Sequence, residues 1–155
     1  MAQVAIITAS DSGIGKECAL LLAQQGFDIG ITWHSDEEGA KDTAREVVSH
    51  GVRAEIVQLD LGKLPEGAQA LELVRHKILV NAVAPGAIAT PMNGMDDSDV
   101  KPDAEPSIPL RRFGATHEIA SLVAWLCSEG ANYTTGQSLI VDGGFMLANP
   151  QFNPE

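Results

Sequence analysis

The hydrophobic period of this chain changes near its start, and that change fixes the fold class. Residues 4–7, VAII, are apolar without interruption, as a strand buried on both faces requires. After the turn TASDSGIGKE, apolar residues recur at Ile14, Cys18, Leu21 and Leu22, one face of a helix that Gly26 ends. The alternation then repeats. A second strand is predicted over 27–33. Ser35 followed by Glu38 is a capping box that predicts a helix burying Ala40, Ala44, Val47 and Val48 and ending at Gly51. A third strand follows over 53–59, then a helix over 66–76 and a fourth strand over 78–83. Residues 84–114 hold most of the prolines and an acidic cluster, and read as a long loop or lid. A helix over 116–129 (Ile119, Leu122, Val123, Leu126) and a last strand over 138–141 complete the pattern. Strands alternating with helices define an α/β fold with a parallel sheet. The expected organisation is one domain over 1–147 and a tail over 148–155.

Composition narrows the partners. The net charge is -11 and the pI about 4.6, which excludes nucleic acid and anionic membrane surfaces, since both require clustered Lys and Arg. No apolar run approaches the roughly 18 residues of a membrane span. The start, MAQVAIITAS, has no basic region ahead of its apolar stretch and reads as a strand rather than a secretion signal. Cys18 and Cys127 fall inside helical patterns as packed thiols, which implies a reducing, cytoplasmic setting. The cluster Asp96, Asp97 and Asp99, with Asp103 and Glu105, lacks calcium-loop spacing and reads as a solvated lid, so no metal site is predicted.

The turn itself can seat a phosphate. Free N–H groups and the dipole of a helix start attract an anion, and residues without bulk permit close approach. Gly13, Ile14 and Gly15 open the helix, and Ser10 and Ser12 offer hydroxyls. The spacing is not G-x-G-x-x-G, so on the turn alone nucleotide binding and an ordinary βα turn both stay open.

Several separate stretches, in order, carry a resemblance. TASDSGIG resembles the T-G-x-x-x-G-I-G turn of the short-chain dehydrogenase/reductase family, with Ala9 in place of glycine. Asp60-Leu61 resembles that family's adenine-contacting pair. VNAVAPGAIAT (residues 80–90) is similar to its V-N-x-V-x-P-G-x-I-x-T segment. PLRRFG with Glu118-Ile119-Ala120, then Thr135-Gly136-Gln137 and VDGG (141–144), are similar to its C-terminal signatures. The resemblance implies an open, doubly wound, Rossmann-like sheet, NAD(P) as cofactor, an alcohol or carbonyl as substrate, and a homo-oligomer as a possible state. It assigns cofactor contacts to Ser10, Ser12, Gly13, Ile14, Gly15, Asp60, Leu61, Pro85, Gly86, Ile88 and Thr90. The end of the second strand, Trp33-His34-Ser35, lacks the acid that NAD-preferring members place there, so the reading leans towards NADP over NAD.

The family's centre is absent. Between Asp60 and Val80 there is no N-N-A-G strand end, no strand bearing the catalytic serine and no Y-x-x-x-K helix. Tyr133 is the only tyrosine, and the residue four positions on is Gln137, not lysine. A tyrosine titrates near 10 and is a poor base at pH 7 without an adjacent cation. No catalytic residue is therefore assigned. With the two central strands gone, the expected sheet has five strands in the order 3-2-1-4-5. Three readings stand: an oxidoreductase by lineage that is catalytically deficient, a non-catalytic dinucleotide-binding remnant, and an inactive truncation.

Overall fold

Continuous apolar runs and helical-period runs form the elements that their spacing dictates. The computed structural model describes residues 3–60 and 77–148. Strands β1 (Val4–Ile7), β2 (Asp28–Trp33) and β3 (Ala54–Gln58) are joined by helices α1 (Gly13–Gln24) and α2 (Glu37–Ser49). Then come β4 (Ala82–Pro85), α3 (Thr116–Leu126), β5 (Ser138–Val141) and a single helical turn, α4 (Phe145–Ala148). Two short 3-10 turns, Pro91–Asn93 and Asp97–Asp99, punctuate the long loop. The helix expected over 66–76 lies outside the described residues, as do Leu61 and residues 149–155 of the expected tail. Among the described residues no helix is long and apolar enough to cross a membrane.

All pairing is parallel. Ala5 lies beside Ile29, and Ile31 lies between Ile7 and Ile56. These residues share one face, because side chains alternate along a strand. Leu22 of α1 and Val47 of α2 are fully buried in the same core as Ile29 and Ile31. Burying a Leu, Ile or Val side chain stabilises by about 1.5–3 kcal/mol, so this one-sided layer supplies most of what holds the first half together. Helix α1 also packs against α3, which buries Ile119, Ala120 and Ala124.

The structure corrects the expected strand order. Among the described residues β1 pairs only with β2 and β4 only with β5, giving a 3-2-1 sheet and a separate 4-5 sheet. Side-chain packing of α1 on α3, which buries Ile119, Ala120 and Ala124, joins the two halves through the helical layer, and among the described residues no backbone pairing joins β1 to β4.

Three smaller corrections follow. The fourth strand forms at Ala82–Pro85 rather than over 78–83. Val80 and Asn81 are instead held by the turn before β5: Thr135 Oγ1 accepts from the Val80 N–H (3.1 Å), and the Asn81 side chain donates to the Thr134 carbonyl (2.9 Å). Helix α2 is capped by Asp36, whose carboxylate accepts from the Gly39 N–H at 3.0 Å, so Ser35 is not the cap. The carboxylate sits one residue nearer the helix start and also complements its dipole. Val48 is more than half exposed, because the buried face of α2 runs through Ala40, Thr43 and Val47.

Candidate nucleotide-binding site

The turn after β1 is built by hydrogen bonds to the neighbouring strand. Ser10 is fully buried; its hydroxyl donates to the Ile7 carbonyl (2.8 Å) and accepts from the Thr32 N–H (3.1 Å). The Ser10 N–H donates to the Thr32 carbonyl (2.9 Å), and the Ala9 N–H donates to Thr32 Oγ1 (3.2 Å). Ser10 therefore shapes the turn, and its hydroxyl proton is already committed to Ile7. Thr32, which the sequence reading passed over, pins the turn from β2. A Thr on the last turn-facing position of an otherwise apolar strand was the available signal.

Ser12 occupies the N-cap of α1 in an extended conformation and makes no side-chain cap bond. The first turn of α1 carries no acidic residue, so its N–H groups and positive dipole end are left for an outside acceptor. Gly13 adopts a left-handed φ of +53°, and a Cβ there would stand 3.9 Å from the Thr90 side chain. The phosphate turn and the VNAVAPGAIAT loop thus face each other across a narrow space. At Gly15 a Cβ would overlap the Ala9 carbonyl oxygen and lie 2.9 Å from Ser10 Cα. Helix α1 enters so close to the strand end that only glycine fits.

Ala9 sits at φ +51°, in the left-handed region. An L side chain there costs about 1–2 kcal/mol, while glycine's extra unfolded-state entropy returns about 0.4–1 kcal/mol. Ala9→Gly is therefore expected to raise unfolding stability by up to about 1 kcal/mol in urea titration. A measured loss would mean that the turn is not strained at Ala9.

The second strand of loops comes from β4. Pro85 ends that strand, and the Gly86 N–H donates to the Val141 carbonyl (2.9 Å). Gly86 has no room for a side chain, since a Cβ would stand 2.7 Å from Asp142 Cα. Ile88 and Ala89 are buried, and Thr90 caps the 3-10 turn, its N–H donating to Asn93 Oδ1 (3.0 Å). Gly114 fastens the same loop, accepting from the Ala89 N–H and donating to the Ala87 carbonyl, both at 2.9 Å. Gly114 is held in turn by an ion pair outside the predicted site. Arg112 donates through both terminal nitrogens to both Glu118 oxygens at 2.8 Å, and Glu118 also accepts from the Ala115 N–H. These bonds hold the Glu118 carboxyl down at about 2. The R-R-F-G…E-I-A stretch was the sequence signal for it.

At the far end, Trp33 is half-buried while His34 and Ser35 are exposed. Gln58 donates to the His34 carbonyl at 3.1 Å. Asp60 is half-buried just past β3. Leu61 lies outside the described residues. Tyr133 is fully exposed between α3 and β5. Burial pushes the Cys18 thiol up to about 12, as a packed thiol requires. Among the described residues no cluster of His, Cys, Asp and Glu is placed to hold a metal ion.

An uncapped helix start, a Gly15 without side-chain room and a facing P-G-x-I-x-T loop, set on parallel strands, make an α/β design of Rossmann type. The family described as short chain dehydrogenase matches residues 3–72, and the family described as enoyl-(acyl carrier protein) reductase matches residues 67–146. The chain belongs to the short-chain dehydrogenase/reductase family. It is 60% identical to the uncharacterized oxidoreductase YohF of Escherichia coli K12, in an alignment that covers 100% of both chains. That alignment runs over 253 residues against 155 here, so an inner part of the relative has no counterpart. A match to the 3-oxoacyl-[acyl-carrier-protein] reductase FabG of Aquifex aeolicus is 47% identical but spans 48% of this chain and 30% of the relative. Among solved structures, acetoin dehydrogenase YohF from Salmonella typhimurium superposes with a TM-score of 0.82 at 48% identity, covering 99% of each chain. A putative oxidoreductase from Escherichia coli K-12 superposes at 0.78 with 56% identity, covering 99% of this chain and all of the other.

Proposed function

We propose that this chain is a dinucleotide-binding short-chain oxidoreductase module that has lost the proton-transfer half of the reaction. The observation that carries the reading is the cradle at Gly13–Gly15, where the α1 start is uncapped, Gly13 faces Thr90, and Gly15 leaves no room for a Cβ against the Ala9 and Ser10 backbone. In that reading the backbone around Ser12, Gly13, Ile14 and Gly15 holds the pyrophosphate, and Asp60 with Leu61 holds the adenine end. Pro85, Gly86, Ile88 and Thr90 hold the nicotinamide end. The bound dinucleotide would supply a hydride to a carbonyl or accept one from an alcohol.

What this chain adds to that chemistry is position. Ser10 and Thr32 keep the turn rigid, and the Arg112–Glu118 pair keeps the Ile88–Thr90 loop against it. A hydride step also needs a proton partner within hydrogen-bond reach of the substrate oxygen. Tyr133 stands in full solvent, and the residue four positions on is Gln137 rather than lysine. The deficiency follows from that. The preference for NADP rests on the end of β2: His34 and Ser35 are exposed and uncrowded, and the Asp36 carboxylate is already engaged as the α2 cap. A free carboxylate there would bind ribose hydroxyls and repel a 2'-phosphate.

Titration with NADPH and NADH by cofactor fluorescence, followed by an acetoin and diacetyl turnover assay, tests the proposal. The substrates are chosen because the Salmonella relative is an acetoin dehydrogenase. Saturable binding, tighter for NADPH, without turnover is the expected result. Turnover of any kind would overturn the deficiency, its loss in Tyr133→Phe assigning the proton partner to Tyr133, and absence of binding by a folded chain would overturn the module.

A further inference from the structure

Among the described residues, no helix covers one face of the β1–β3 sheet. The register places Val4, Ile6, Asp28, Gly30, Thr32, Glu55 and Val57 opposite to the face that α1 and α2 bury. On that second face Val4 is 64% exposed, Ile6 73% and Val57 59%; Ile140 of β5 is 60% exposed. Parallel strands are ordinarily buried on both faces, and their apolar runs are written for that. Among the described residues the two sheets leave four strand edges unpaired, and two of them are β1 on the side away from β2 and β4 on the side away from β5. Both strands lead to the same junction, since Gly13 beyond β1 lies beside Thr90 beyond β4. A pair of open edges beside the exposed apolar side chains of Val4 and Ile6 is a template for further strands.

The occupant follows from the comparisons. The described strands superpose on full-length relatives over 99% of this chain, so they keep the places they hold in a longer fold. The residues that the relatives possess and this chain lacks enter where the two family matches meet, at 67–72, between β3 and β4. We propose that the slot between β1 and β4 binds, in trans, the central segment of a longer family member, which adds strands to both open edges and covers Val4 and Ile6. A second copy of this chain is a poorer occupant: it carries the same open edges and no spare segment, and two chains of charge -11 repel. The inference concerns polypeptide binding and is independent of the cofactor reading.

The test is co-expression of the tagged 155-residue chain with the stretch of the Escherichia coli relative that has no counterpart here. A 1:1 complex by size exclusion with light scattering is expected, with amide exchange over residues 4–7 and 82–84 slowed about tenfold or more relative to the chain alone. Ile6→Lys places a charge on the bare face without touching the helical side. It is expected to lower recovery of the complex about tenfold while leaving the chain's own melting temperature in place. Failure to form a complex overturns the proposal, as does a complex that Ile6→Lys leaves intact. A homodimer of the chain alone that protects β1 would assign the face to a second copy. Protection of β1 in the lone monomer would assign it to residues 61–76. Either result also overturns the proposal.

Discussion

Gly15→Ala is expected to unfold or severely loosen the chain, at a cost of about 3 kcal/mol, from the addition of one methyl group. The new Cβ would overlap the Ala9 carbonyl oxygen and approach Ala9 C at 2.7 Å and Ser10 Cα at 2.9 Å. Backbone atoms cannot rotate away as a side chain can. Relief requires α1 to back off from β1, which opens the contacts of Leu22 and Ala19 with Ile29 and Ile31. Gly26→Ala is the matched control. Gly26 has φ +89° and open space around its Cβ position, so only backbone strain of about 1–2 kcal/mol is expected there. Urea denaturation of both variants separates the effects. Equal losses at the two positions would mean that α1 does not press on the turn, and the pyrophosphate seat would lose its structural basis. NADPH titration of any folded Gly15→Ala fraction is expected to show no saturation, because the same displacement carries the α1 N–H groups away.

The legible part of this fold was the part written by local rules. Strand β1, helix α1 and the glycine turn could be read from VAII, from the period through Cys18 and Leu22, and from Gly13 and Gly15, because each depends on neighbours close in sequence. The Asp36 cap was misplaced by one residue because Ser35 and Asp36 are both good caps, and chain entry from β2 decides between them. Strand β4 was shifted because Val80 and Asn81 look like strand residues. Their hydrogen bonds to Thr134 and Thr135 come from far along the chain. The single five-stranded order failed for a deeper reason. Sequence shows which strands exist, but whether β1 pairs with β4 depends on packing between elements far apart in the chain. The role of Thr32 was hidden for the same cause, since it acts from β2 on a turn it does not belong to. The Arg112–Glu118 pair, by contrast, spans only six residues and was within reach of the R-R-F-G…E-I-A stretch.

That ion pair carries the second large effect, and its sign can be worked out. Glu118 is held at about 2, below the ordinary 4.5, first by the hydrogen bonds from Arg112 and next by the Ala115 N–H. A depressed carboxylate stabilises the fold in full above its unfolded value, and the contribution fades as pH falls from about 4.5 towards 2. The side chains are 37% and 30% exposed, so solvent screening reduces the gain to about 1–2 kcal/mol. Glu118→Gln turns an amide N–H₂ or a weaker acceptor towards Arg112 and loosens the cap of α3. Urea unfolding at pH 7 is expected to show that loss, with the gap between variant and wild type narrowing steadily below pH 4.5. The Ile88–Thr90 loop hangs on Gly114 beside the pair, so nicotinamide-end contacts should weaken as well, and NADPH affinity is expected to fall several-fold at pH 7. Arg112→Lys keeps the charge but loses the two-pronged contact, and it should fall between the two. A pH-independent gap would show that Glu118 acts through packing alone. An unchanged NADPH affinity in a destabilised Glu118→Gln chain would detach the pair from the cofactor loop, leaving it as a clasp for α3 only.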